Sequence, residues 1–144
     1  MRKYLVRDIM TTTPVSIQES ETAKECAETM AKKEVGSLLV MKKKVFVGIV
    51  TEQDLVIKVV SSGIDPKKIL VKDIMTSVKE IVSIEPGRSV YTAMYLMNSN
   101  DVRRIPVVEQ GVLQGLITMK DIFGIEPDLL ENMFEFLPEE HKEL

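Results

Sequence analysis

Apolar residues fall along this chain in short runs of two kinds, and the same succession occurs twice. Ala23, Cys26, Ala27 and Met30 stand at i, i+3, i+4 and i+7, the spacing that lines one face of a helix. Val90, Ala93, Met94 and Met97 repeat that face 67 positions later, with larger side chains, which predicts that the two faces fill unequal space in a shared core. A short apolar stretch, Val15-Ser16-Ile17 or Val82-Ser83-Ile84, precedes each helix pattern. Two β-type runs follow it, at 37–41 and 45–50 and again at 105–108 and 112–118. Lys42-Lys43-Lys44 and Glu109-Gln110-Gly111 separate the paired runs at hairpin-loop length. The second run of each pair ends in Gly-x-x-Thr-x-x-Asp, at Gly48, Thr51 and Asp54 and again 67 positions on at Gly115, Thr118 and Asp121. The pattern predicts two repeats of strand, helix, strand, strand, helix.

Polar residues mark where the helices start and stop. Thr22-Ala23-Lys24-Glu25 has the Thr-x-x-Glu form of a capping box, and Ser89 is the matching N-cap in the second copy. A helix predicted from 52 to about 62 stops at Gly63, and Asp65-Pro66 reads as the start of a short helical turn. Val6-Arg7-Asp8-Ile9-Met10-Thr11 returns as Val71-Lys72-Asp73-Ile74-Met75-Thr76, now 65 positions apart, so the second copy carries two extra residues before its first strand. The repeats run over 6–62 and 71–124, with a linker at 63–70 and a tail at 125–144. Neither repeat is large enough to cover both faces of its own sheet. Two packed face to face, related by a pseudo-twofold axis, solve that problem and open clefts between them. The tail carries Leu129, Leu130, Met133, Phe134, Phe136 and Leu137 on a predicted helix, a stripe that packs back on the same domain or buries against a partner subunit.

Composition narrows the function classes. With 44% apolar and 28% charged residues the 144-residue chain has the balance of a soluble globular domain. Its net charge of −3 supplies no global attraction to nucleic acid or an anionic membrane, and without Trp and with 5% aromatics it offers no stacking platform for single strands. No run approaches the roughly 18 consecutive apolar residues of a membrane span, and Met1-Arg2-Lys3-Tyr4 leads into charge, so the expected setting is intracellular and cytoplasmic. Cys26 and His141 are each the only residue of their kind, which leaves no internal disulfide and no Cys/His metal cluster. Ser/His/Asp and Cys/His nucleophile sets and a Walker-type loop are absent as well, so an enzyme is not expected.

The candidate chemistry lies in the repeated Thr-x-x-Asp. Thr51 and Thr118 suit N-caps with Asp54 and Asp121 three residues on, which would explain all four without a ligand. A second reading competes. Free amides at a helix start receive anions, and a carboxylate there accepts from a vicinal diol, so the pair suits a ribose with a phosphate nearby. Arg103 and Arg104 supply planar forks for such a phosphate, unless they only pair with acidic neighbours such as Asp101. The three lysines at 42–44 read as a solvated turn or a phosphate contact.

The two copies resemble CBS motifs, and the pair resembles a Bateman module. The resemblance is carried by Asp8-Ile9-Met10, Asp73-Ile74-Met75, Arg104-Ile105-Pro106-Val107-Val108 and the elements 48–54 and 115–121, and covers about 6 to 124. It implies an α+β fold: two pseudo-twofold-related β-α-β-β-α repeats packed through their sheets, plus a C-terminal helix. It also implies that an adenosyl ligand such as AMP, ADP, ATP or S-adenosylmethionine binds in the inter-repeat clefts, with no other cofactor required. The family's ribose aspartate and its threonine map onto Asp54 with Thr51 and Asp121 with Thr118, and its phosphate contacts onto Arg103 and Arg104. Its adenine-lining positions match Thr13, Pro14 and Val15 or Glu80, Ile81 and Val82, with Leu38 or Ile105. The first copy departs from the pattern, since Gly36 and Ser37 stand in place of the two arginines and Leu39 in place of Pro106. Which aspartate the arginines serve stays open at this level.

The expected function is a regulatory module that binds an adenosyl ligand and changes how it pairs with itself, as a homodimer, or with a target protein. The rival is an interaction module that needs no small molecule and docks through its apolar tail.

Overall fold

The lead-in segments decide how this chain divides. In the computed structural model, which describes residues 4–125, α1 (Val6–Ile9) pairs with the later part of the chain and α4 (Val71–Ile74) with the earlier part. Residues 14–81 form one compact unit, and residues 4–13 together with 82–125 form the other. The compact units therefore cut across the sequence repeats, because each takes its lead-in helix from the other copy. The tail predicted at 125–144 lies outside the described residues except for Ile125.

In the unit of residues 14–81, β1 (Ser16–Gln18) lies parallel to β2 (Ser37–Lys42), which forms an antiparallel hairpin with β3 (Val45–Thr51). The two-residue strand β4 (Thr76–Ser77) completes the sheet beside β3. Helix α2 (Ala23–Lys33) follows Thr22, whose hydroxyl accepts from Glu25 N at 3.1 Å while Glu25 Oε1 accepts from Thr22 N at 3.2 Å, the capping box expected from the sequence. Ile17, Ala23, Cys26, Met30, Leu38, Val40, Val50, Val59, Val71 and Ile74 make its core. The helix after β3 begins as α3 (Glu52–Leu55), widens into a π-helix over Val56–Val60 and ends in a turn at Gly63, whose φ of +69° suits glycine. Asp65 starts a turn by accepting from Lys67 N at 3.0 Å, but no helix forms there. Lys43 and Lys44 form the hairpin turn after Lys42 ends β2, and Gln18 bonds the backbone of Lys43 through both its amide atoms.

The other unit repeats this plan with a two-stranded sheet, the counterparts of β1 and β4 being reduced to single bridges, Ile84 to Val107 and Thr11 to Leu116. α1 and α5 (Val90–Ser99) pack on the hairpin of β5 (Arg104–Glu109) and β6 (Val112–Thr118), which leads into α6 (Met119–Ile125). Val6, Ile84, Val90, Ala93, Met94, Met97, Ile105, Val107, Ile117 and Ile122 form a core in near one-to-one correspondence with the first. The expected strand at 82–84 contracts to one parallel bridge, Ile84 to Val107. In the first unit the ladder continues with Glu19 N donating to Met41 O at 2.9 Å. The equivalent position is Pro86, which has no N–H to donate.

Two details differ from the sequence reading of the helix faces. The faces of α2 and α5 belong to two hydrophobic clusters, one per unit, not to one shared core. Ala27 is exposed, whereas its counterpart Met94 is fully buried. The alanine is too short to fill the space, and an open groove of about 520 Å³ remains among Ala27, Met30, Ala31, Val35, Gly36 and Leu55.

Gly48 and Gly115 show what the repeated glycine is for. A Cβ on Gly48 would stand 2.5 Å from Thr76 O, and one on Gly115 would press on Thr11 O. Each glycine lets the lead-in segment of the other copy lie against its strand.

Candidate functional site

Each Thr-x-x-Asp sits where a central strand turns into a helix. Asp121 N donates to Thr118 Oγ1 at 3.1 Å, and Thr118 N donates to Asp121 Oδ2 at the same distance. In the first copy Asp54 N donates to Thr51 Oγ1 at 3.3 Å, while Asp54 Oδ2 accepts from Thr51 N at 2.9 Å and from Thr51 Oγ1 at 3.2 Å. Capping is therefore real in both copies. It uses one carboxylate oxygen and leaves the other to be assigned.

The second oxygen is where the copies part. Asp54 Oδ1 lies 3.1 Å from Lys58 Nζ, and the same ammonium donates to Ile74 O at 2.9 Å. Asp54 is 14% exposed, so the pair is shielded from solvent on the carboxylate side. Asp121 has no such partner among the described residues, because the position equivalent to Lys58 is Ile125. Lys58 escaped the sequence reading, although the Asp-x-x-x-Lys spacing that lets these side chains meet on a helix was legible.

The arginines lie beside the second copy's own turn. Arg104 stands opposite Thr118 in the β5–β6 ladder, and Arg103 O accepts from Met119 N at 2.9 Å. Arg103 is exposed and forms no ion pair with Asp101 among the described residues. Within this unit, then, Arg103, Arg104, Thr118 and Asp121 share one strand end. Ser37 and Gly36 take the same places beside Thr51, with Gly36 O accepting from Glu52 N at 3.0 Å. Glu52 carboxylate atoms crowd Gly36, and a Cβ there would come within 2.8 Å of Glu52 Oε1.

Of the remaining candidates, Leu38 and Ile105 are core residues at 1% and 0% exposure. Pro106 is buried as well. Thr13-Pro14-Val15 and Glu80-Ile81-Val82 are the two places where the chain passes from one compact unit to the other. Val15 belongs with the first core, where its carbonyl accepts from Leu39 N at 3.1 Å, and Val82 packs on the second. Thr13 and Glu80 are exposed, Pro14 and Ile81 half-buried.

Burial raises the Cys26 thiol to about 11, with the carboxylates of Glu21 and Asp54 adding to the effect. It is a protonated core group, not a nucleophile. Among the described residues no cluster of His, Cys, Asp or Glu is placed to hold a metal ion, and no helix is long and apolar enough to cross a membrane.

Comparison with known proteins adds the context of relatives. The family model described as CBS domain matches residues 6–61 and 71–127. An uncharacterised protein of Methanopyrus kandleri is 37% identical over 140 residues, covering 96% of this chain and 68% of the relative. Among solved structures, a hexameric CBS-CP12 protein from bloom-forming cyanobacteria is 32% identical with a TM-score of 0.73, covering 90% of this chain and 75% of that one. A CBS domain pair in complex with 5′-methylthioadenosine and S-adenosyl-L-methionine has a TM-score of 0.76 at 22% identity, covering 88% and 98%, a likeness of fold.

Proposed function

Because this chain belongs to the CBS domain family, with both copies matched at 6–61 and 71–127, we propose that it is a regulatory module that binds an adenosyl ligand of the AMP, ADP, ATP or S-adenosylmethionine class. Asp121 offers Oδ1 to the ribose diol while Oδ2 holds the helix cap. Thr118 adds its hydroxyl, and Arg103 and Arg104 take phosphate where the ligand carries one. Thr13, Pro14, Val15, Glu80, Ile81 and Val82 border the adenine in this reading. Its role is binding, not catalysis, in a cytoplasmic setting.

The observation that carries the reading is the convergence in one unit of the arginine pair with the Thr118–Asp121 turn, through the Arg104–Thr118 ladder pair and the Met119 N to Arg103 O bond. A diol acceptor and a phosphate fork at one strand end suit a nucleotide better than a bare cap does. Ligand binding would act on self-association or on a partner protein by favouring one of two states. The test is calorimetric titration of ligand-stripped protein with AMP, ADP, ATP and S-adenosylmethionine, alongside Asp121→Ala. Saturable heat with at least one of them, lost in the variant, supports the reading; none with any sinks it.

One observation favours the ligand-independent alternative. Val56, Ile57 and Val60 leave an apolar strip on the π-helix, with Val60 73% exposed, as a homodimer surface would require. If that is the whole function, Val60→Glu changes the sedimentation behaviour while added nucleotide leaves thermal stability unchanged.

A further inference from the structure

The two Thr-x-x-Asp turns share a cap and differ in what surrounds it. We infer that Lys58 is a specificity residue that keeps the first copy's Asp54 from accepting a ribose diol, so that the chain takes one adenosyl ligand, at Asp121. This rests on the adenosyl reading above and adds which turn is used and why.

Three observations converge. Both oxygens of Asp54 are committed, Oδ2 to the Thr51 amide at 2.9 Å and Oδ1 to Lys58 Nζ at 3.1 Å. Lys58 is itself held, since its ammonium also donates to the carbonyl of Ile74, a residue of the core. A diol would have to displace a charge-assisted pair from a shielded carboxylate and leave the ammonium with one partner fewer. At Asp121 the cap is the same but Ile125 stands in place of the lysine, so Oδ1 needs no such release.

The third observation concerns the ligand's tail. Over the five equivalent positions around each turn, the first copy has Gly36, Ser37, Glu52, Gln53 and Asp54, a charge of −2. The second has Arg103, Arg104, Met119, Lys120 and Asp121, three cations and one anion, a charge of +2. Glu52 also crowds Gly36, the position equivalent to Arg103. Counting position 58 and its equivalent 125 as well, the first turn carries −1 with Lys58 and the second +2 with Ile125, so the first turn disfavours a phosphate that the second attracts.

Removing the lysine should release the diol site without creating a phosphate site. The test titrates the full, ligand-stripped chain, and its Lys58→Ile, Lys58→Met and Lys58→Arg variants, with 5′-methylthioadenosine, an uncharged adenosyl diol, and with AMP. The wild type is expected to bind one equivalent at most. Lys58→Ile and Lys58→Met should take up one more equivalent of 5′-methylthioadenosine than the wild type and no more AMP, while Lys58→Arg, which keeps the pair, matches the wild type. A melting curve identifies any variant that has not folded, and two apolar replacements guard against losing one. Two equivalents in the wild type, or a folded Lys58→Ile or Lys58→Met with the wild-type number, would overturn the inference and leave the adenosyl reading standing. A wild type that binds none of AMP, ADP, ATP, S-adenosylmethionine or 5′-methylthioadenosine removes both.

Discussion

Thr11 and Leu116 exchange two backbone hydrogen bonds, Thr11 N to Leu116 O at 2.9 Å and Leu116 N to Thr11 O at 3.0 Å, although they belong to different sequence repeats. Thr76 pairs with Ile49 in the same way on the other side of the exchange. Each sheet is thus completed by a lead-in segment from the other copy, and the helix of that segment contributes a fully buried valine, Val6 or Val71, to the core it joins.

Val6→Ala should therefore weaken the unit of β5 and β6, not the repeat in which Val6 is written. The loss of its buried methyls costs about 1–3 kcal/mol. Hydrogen exchange should show protection falling in β5 and β6 more than in β2 and β3, and Val71→Ala should give the reverse. Equal losses in the two hairpins, or losses confined to each residue's own repeat, would contradict the exchanged arrangement.

The two strand glycines make a sharper test of the same contact. Gly48→Ala and Gly115→Ala each place a methyl against a backbone carbonyl, of Thr76 or of Thr11, and backbone cannot swing aside as a side chain can. Overpacking of this kind costs about 1–3 kcal/mol, several degrees of Tm. Gly87→Ala meets nothing within 4 Å and should melt like the wild type.

Much of this was legible in the chain because period and offset survive folding. The 67-residue register set the hairpins, both helix faces and the paired caps, and the core residues obey it almost position by position. What the sequence hid was contact at long range. Nothing local says that Val6 packs with Ile117 and not with Val50, and the reason for Gly115 appears only once Thr11 lies against it. Ala27 failed because periodicity marks a face without saying whether the side chain is long enough to fill it.

The capping role of Thr118 can be read by substitution in the ligand-free protein. Thr118→Ser keeps the hydroxyl that accepts from Asp121 N and should hold stability near that of the wild type. Thr118→Val removes the cap and should cost about 1 kcal/mol in ligand-free thermal or urea unfolding. If the valine variant is as stable as the serine variant, the hydroxyl has no capping role and the turn is held by Asp121 alone.

Cys26 gives a pH signature for the core of residues 14–81. Its thiol is pushed up to about 11 from 9.0, first by burial and then by Glu21 and Asp54. At pH 8 the thiolate fraction is lower by about a hundredfold than for an unshifted thiol, so alkylation of native protein should lag that of unfolded protein by at least that factor. The linkage has a definite sign. Between about pH 9 and 11 the unfolded chain has released this proton and the folded chain has not, so the unfolded state binds fewer protons and stability falls as pH rises through that window. Other groups titrate there too, so the measurement is the difference between wild type and Cys26→Ala in urea unfolding at pH 8 and pH 11. The wild type should lose more stability than the variant over that interval. Equal losses would mean that the thiol ionises as freely in the folded chain as in the unfolded one, and that the α2 face around Cys26 is open to water.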